Sequence, residues 1–315
     1  MRNSKISIQS RFFDFGNSAV QRKWKRTGQA MLFILPALII ALLFVYYPAA
    51  YTLRLSFYEW DLISPTQQFI GLSNYVEILQ WGSEFWKALG ITLQYGAIYT
   101  LLSLCGGMLL AVALERTKFL NNFFQSMFFI PSITSISVVS VVWSLIFNPQ
   151  IGPINTLLER LGLASASLPQ WLNDPNLAII VLAIIGAWQS LGYTTLLILG
   201  GLRNIPSSYY EAAAVDGANR WDCFRHITLP LLSPILYFVI FMLIINSFQV
   251  FGVVSIMTQG RPLGSTNVVL YYIYQEGFRF FDAGVASAAS WILFMIIFIT
   301  FLFQRKLGEN RVFYQ

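Results

Sequence analysis

Long runs without charge alternate along the chain with short polar connectors. Six stretches contain no Asp, Glu, Lys or Arg: Ala30–Leu53, Ala88–Leu114, Phe119–Leu158, Pro175–Leu202, His226–Gly260 and Ala283–Gln304. The shortest of them, Ala283–Gln304, has 22 residues. A helix crosses the ~30 Å hydrocarbon core of a bilayer with roughly 20 apolar residues, each advancing it about 1.5 Å. Every stretch therefore accommodates one crossing. Phe119–Leu158 is longer, but Pro149, Gly152 and Pro153 break it, which predicts one span over about Phe124–Phe147. The runs are continuous rather than alternating, which excludes a membrane barrel. The pattern predicts an all-α integral membrane protein with six transmembrane helices. The transmembrane domain occupies residues 30–306, between an N-terminal segment, 1–29, and a C-terminal tail, 307–315.

Composition agrees. The chain is 56% hydrophobic and 11% charged, against roughly 25% charged in ordinary soluble domains. The placement of the cations sets the orientation. Of 20 Lys and Arg residues, fifteen fall on the side of both termini, the second connector and the fourth connector, and five fall on the other side. The positive-inside rule then puts both termini and the fourth connector, residues 203–230, in the cytoplasm. The net charge of +6 reflects that bias. It does not suggest nucleic-acid binding, since no basic patch alternates with surface aromatics. The first apolar run is too long for a signal peptide and lacks a small-residue cleavage site, so it reads as an uncleaved first span. The preceding RFFDFGNSAVQRKWKR mixes aromatic with basic residues, and two readings stand: a segment lying on the inner membrane surface, or a disordered tail.

The spans carry polar side chains but no acid or base. Gln189, Ser190, Tyr193, Thr194 and Thr195 cluster in span four, and Asn246, Ser247 and Gln249 in span five. Such groups either bond a neighbouring helix or line a hydrated route. Amides both donate and accept, which suits a hydroxyl-rich, uncharged solute. Ion-coupled carriers hold their driving ion on an intramembrane charge, and none is present in the spans. The chain also has no GxxxxGK[ST] phosphate loop, nor any Gly-Lys pair. Energy for uphill transport must then come from outside this chain, and no cofactor is expected on it. Cys105, Cys223 and the single histidine, His226, form no disulfide framework or metal cluster.

The fourth connector is patterned. Ser208 and Glu211 have capping-box spacing, which predicts a helix start. Ala212, Ala213, Ala214 and Val215 continue it to Asp216, and Gly217 stands where a helix ends left-handed. Asn219 followed by Asp222 predicts a second N-terminus, and Leu229-Pro230 opens span five. The segment is thus a short helix, a glycine turn and a second short helix.

The stretch EAAAVDGANRWDCFRHITLP resembles the EAA motif of ATP-binding-cassette importer permeases, EAA-x3-G-x9-I-x-LP. Glu211, Ala212, Ala213, Gly217, Ile227, Leu229 and Pro230 match at every specified position. FIGLSNYVEIL, GLRNIPSSYYEAAAVDGA and the run from MTQGRPLGSTNVV onward resemble the carbohydrate-uptake branch, of the maltose and glycerol-phosphate type. LFILPALIIALLFVYYPAAYTLRLSFYEWD is similar to the start of its MalF-like member. The resemblance covers about Met31 to Lys306. Arg261 departs from the T-x-G-G-P of many relatives.

The resemblance implies a cytoplasmic coupling helix between spans four and five, in which Glu211, Ala212, Ala213, Asp216, Gly217, Ile227, Leu229 and Pro230 dock an ATPase subunit. It implies two ATPase subunits carrying ATP and Mg, a second permease subunit, and an extracytoplasmic solute-binding protein. The setting is the cytoplasmic (inner) membrane of a prokaryote and the cargo a sugar-like substrate. By position it points to Gly192, Tyr193, Thr195, Asn246, Ser247 and Gln249 as a substrate pathway. Two rivals are a carrier or channel that works alone and an intramembrane enzyme. The charge-free spans and the fourth connector oppose the first. The second lacks a catalytic pair in the spans.

Overall fold

The computed structural model describes residues 31–116, 121–164 and 168–309. The N-terminal segment 1–29, including RFFDFGNSAVQRKWKR, lies outside the described residues, as do the last six residues of the tail. The chain divides into two units, Met1–Leu55 and Ser56–Gln315.

Within the first unit, helix α1 runs over Met31–Leu55. Its middle, Leu42–Tyr46, is a π turn closed by the Tyr47 N–H on the Leu42 carbonyl. Pro48 follows at once and has no N–H to donate. The wider turn redistributes the hydrogen bonds that the proline would interrupt.

The second unit begins with a small hairpin, β1 (Tyr58–Glu59) and β2 (Gln68–Phe69), paired antiparallel. Helices α2 (Ser73–Leu79) and α3 (Glu84–Arg116) follow. Asn74 ties α2 to the hairpin, its amide donating to the carbonyls of Ser56 (3.0 Å) and Tyr58 (3.1 Å).

The predicted third span is not one straight helix. It is α4 (Asn121–Ile133) and α5 (Ile136–Ile146), bent by 95° at the break. The cause is local. Pro131 removes a donor, the Thr134 hydroxyl turns back onto the Ile130 carbonyl at 2.8 Å, and Ser135 is extended (ψ 131). Among the described residues five helices are each long and apolar enough to cross a membrane, and the bent pair, counted as one span, makes six.

The next connector holds a short helix, α6 (Pro153–Arg160), fixed by the Trp171 indole N–H on Asn155 Oδ1 at 2.7 Å. Helix α7 (Ala178–Arg203) is the centre of the unit. More than half of its positions are buried against α3, α4 and the later helices. Its Ser190 hydroxyl meets that of Ser103 on α3 at 2.8 Å. After α8 (Ser207–Val215) and α9 (Arg220–Cys223), a π turn at Phe224–Thr228 leads into α10 (Leu229–Phe248). Then come α11 (Gly252–Met257), α12 (Val269–Phe278) and α13 (Ala283–Glu309). The buried Thr92 hydroxyl of α3 accepts the Val269 N–H at 2.9 Å and so pins the start of α12. The core is apolar: Ile179, Leu182, Ile185, Ile198 and Leu199 of α7 pack with Leu232, Val239 and Leu243 of α10.

Candidate functional site

The connector between α7 and α10 folds as the helix–turn–helix that the sequence predicts, with one correction at its start. Pro206, extended at ψ 135, is the N-cap of α8, so Ser207 is already helical. Ser208 therefore lies inside the first turn, and no side-chain cap forms between Ser208 and Glu211. At the other end Gly217 adopts φ +76. The Ala218 N–H reaches the Ala213 carbonyl (2.9 Å) and the Gly217 N–H the Ala214 carbonyl (3.2 Å). That is the paired bonding of a Schellman end, which needs a left-handed residue. Asn219 then caps α9, accepting the N–H groups of Trp221 (2.8 Å) and Asp222 (3.0 Å), while Asp222 accepts the Asn219 N–H at 3.1 Å. The Trp221 and Phe224 rings stack, 5.7 Å apart.

Helix α8 has no buried residue. Glu211, Ala212, Asp216 and Gly217 are exposed, Ala213 is half-buried, and Val215 is 88% exposed. Ile227, Leu229 and Pro230 are half-buried at the entry to α10. The Tyr210 and Thr228 hydroxyls, 3.0 Å apart, tie α8 to that entry. Behind the hairpin lies a groove of about 690 Å³, whose walls include Glu115, Arg203, Tyr210, Arg220 and Cys223. His226 is exposed, with Nδ1 3.1 Å from the Asp222 carbonyl. Among the described residues no group of His, Cys, Asp and Glu has the makings of a metal site.

A second feature sits midway along the bundle. A cavity of about 330 Å³ is walled by α3, the α4–α5 bend, α7 and the junction of α10 with α11. Among the described residues no Asp, Glu, Lys, Arg or His lines it. Of the pathway residues expected from sequence, Tyr193, Asn246 and Gln249 face it, together with Gln189 and Ser190. Gly192, Thr195 and Ser247 do not. A Cβ on Gly192 would lie 2.3 Å from the Phe128 carbonyl oxygen, so this glycine lets α4 approach α7. Thr195 is 1% exposed, inside the core. Ser247 faces a different, mostly apolar groove of about 460 Å³ with Thr92 and Gly96. Helix geometry explains the split: 189, 190 and 193 share one face of α7, while 192 and 195 point away from it.

Sequence reasoning missed Tyr95, Tyr99 and Ser132, which also line the cavity. Two tyrosines four apart within a span were the available signal. Their rings stack at 5.6 Å. The bend is held onto α7 by three bonds. Gln189 Nε2 donates to the Thr134 carbonyl (3.0 Å), the Ser132 hydroxyl donates to the Gln189 carbonyl (2.7 Å), and the Tyr193 N–H donates to that hydroxyl (3.3 Å).

At the end of the bundle opposite the α8–α9 hairpin, acidic groups gather. Burial pushes the Glu276 carboxyl above the usual range, and Asp282 and Glu77 push it further. Burial likewise raises Tyr272, and the charge of Glu276 adds to the effect.

The sequence profile of the family described as "Binding-protein-dependent transport system inner membrane component" matches residues 103–311. The "Probable ABC transporter permease protein YesP" of Bacillus subtilis (strain 168) is 36% identical over 93% of this chain and 94% of its own. The "Trehalose/maltose transport system permease protein MalF" of Thermococcus litoralis is 29% identical, covering 94% of this chain and 98% of its own. Among solved structures, a chain of a "bacterial alginate ABC transporter in complex with alginate pentasaccharide-bound periplasmic protein" superposes with a TM-score of 0.79 at 22% identity, over 92% of this chain and 96% of its own.

Proposed function

The chain belongs to the inner-membrane components of binding-protein-dependent transport systems, and we propose that it imports a sugar or sugar-like solute. It is a permease, a transport subunit rather than an enzyme. In this reading six spans cross the cytoplasmic membrane of a prokaryote with both termini inside. Helix α8 is the coupling helix. It docks in an ATPase subunit, with Glu211, Ala212, Ala213, Asp216 and Gly217 at the contact and Ile227, Leu229 and Pro230 anchoring the motion into α10. Two ATPase subunits hold ATP and Mg, a second permease completes the pathway, and a solute-binding protein delivers the cargo to the outer face. Alternating access is then a population shift biased by nucleotide and by the loaded binding protein.

One observation carries the docking role. An exposed helix with a face of small side chains is held at a fixed angle by two independent caps, directly before a helix that runs to the cavity wall. A surface of that kind is built for a partner, since its exposed Ala and Val contribute nothing to this chain's own core. Support for the sugar class comes from the cavity's amides, hydroxyls and tyrosine rings, and from the names of the trehalose/maltose and alginate relatives.

Tagged purification from native membranes in mild detergent, with mass spectrometry of the co-purifying chains, tests the assembly. Recovery of an ATPase and a second permease is expected. A chain that comes out alone and transports into vesicles without ATP overturns the reading.

A further inference from the structure

At the end of the bundle opposite the hairpin there is a second, larger cavity, of about 510 Å³. Its walls come from the C-terminal end of α5 (Ser144, Phe147), the connector after it (Asn148, Asn173) and the turn after α11 (Gln259, Arg261). Such a volume falls within the range of about 300–1,000 Å³ typical of small-ligand sites. Its chemistry differs from that of the uncharged inner cavity. Neutral donors and acceptors surround one guanidinium, with an aromatic ring alongside. Arg261 is exposed and makes no ion pair among the described residues.

The turn that carries Arg261 is braced. The Arg261 N–H donates to the Thr258 carbonyl (2.9 Å), and the Thr266 hydroxyl donates to the Arg261 carbonyl (2.7 Å). Gln259 and Leu263 hold φ values of +53 and +49, a left-handed backbone that non-glycine residues rarely adopt. The two cavities also share walls. Helix α5 contributes Ile136 to the inner one and Ser144 to the outer one, joined there by Phe147 just past its end, and α11 contributes Gly252 to the inner and Met257 to the outer. Ile136 and Ser144 are eight residues apart, which separates the two cavities by about 12 Å along α5.

We infer that the outer cavity is an entry site for a hydroxyl-rich solute bearing an oxyanion, a carboxylate or a phosphate, and that Arg261 selects that group. The inference rests on the importer reading and narrows its substrate class. A planar guanidinium fork matches either oxyanion with two parallel hydrogen bonds, and the amides of Asn148, Asn173 and Gln259 suit the hydroxyls. The charge contact lies only at the entrance. Below it the solute meets neutral groups, which bind weakly enough to let it pass on.

The test is equilibrium binding to the assembled permease–ATPase complex in nanodiscs, without binding protein, using D-galacturonate, glucose 6-phosphate, inorganic phosphate and glucose as probes. Wild type is expected to bind galacturonate or glucose 6-phosphate, and the preferred one identifies the oxyanion. Arg261→Gln is expected to weaken that binding about tenfold or more while leaving glucose unchanged, and Arg261→Lys to fall between. Three results overturn the proposal: no binding of either acidic probe, equal binding by wild type and Arg261→Gln, or inorganic phosphate binding as tightly as glucose 6-phosphate. Recovery of the ATPase with each variant is scored separately. Its loss from wild type speaks against the importer reading, whereas an unchanged probe affinity speaks only against the entry site.

Discussion

The side-chain amide of Gln189 donates to the Thr134 carbonyl at 3.0 Å, across the 95° break between α4 and α5. The break leaves carbonyls without helical partners, and α7 supplies one. Gln189→Ala removes that donor. A lost bond of this type costs about 1 kcal/mol, so the thermal midpoint of the purified complex should fall and uptake should weaken. Equal midpoints would show that the Ser132 contacts suffice to hold the bend.

Gly217 has no heavy atom within 4 Å of where a Cβ would sit, so a substitution there is strained by its φ of +76 alone. Gly217→Asn should be nearly tolerated, because Asn visits this region, while Gly217→Val should cost about 1–2 kcal/mol or more and reduce ATPase co-purification. Co-purification that does not distinguish the two would show that the left-handed turn does not matter for docking.

Asn219 makes both N-terminal bonds of α9. Asn219→Ala should cost about 0.5–2 kcal/mol and Asn219→Ser much less. Hydrogen exchange at Trp221 and Asp222 reads the effect directly, and unchanged protection in the Ala variant would refute it.

Ala213→Glu introduces bulk and charge on the small-residue face of α8. It should abolish ATPase co-purification while leaving membrane insertion and folding intact. Normal recovery of the ATPase would mean that α8 is not the docking surface.

Glu276 has its pKa raised in the folded chain, first by burial and then by Asp282 and Glu77. Its protonated form is therefore favoured by folding. The stabilisation is complete below the ordinary glutamate value of about 4.3 and is lost as pH rises through the raised value. The end of the bundle built from α2 and α12 should thus tighten on mild acidification. Glu276→Gln should flatten that dependence, measured as thermal midpoint against pH, and an unchanged slope would assign the effect to other carboxylates.

Much of the connector between α7 and α10 was legible because it obeys local rules. Gly217 and Asn219 act through bonds to residues within five positions, so their types and spacing suffice. The spans were legible because a run without charge is a direct measure of what lipid tolerates. What escaped depends on neighbours in space. Pro131 and Ser135 do not reveal a near-perpendicular bend unless Gln189 is there to receive it. Tyr95 and Tyr99 read as ordinary apolar mass until α7 and α10 leave a cavity beside them. Thr195 and Ser247 share the chemistry of Tyr193 and Asn246 but point the other way. The Ser208–Glu211 spacing misled because Pro206 caps the helix, two residues earlier.

Gly217 ends one helix and Asn219 begins the next, with Ala218 alone between them. The hairpin therefore has no spare length. One inserted residue would separate the Asn219 cap from the Gly217 turn, so the end of α8 and the start of α9 would no longer be joined through a single residue and the angle between them would no longer be set. The segment is free to drift in composition at its exposed positions, but its length is locked. Deletions and insertions there should be far rarer in functional variants than substitutions.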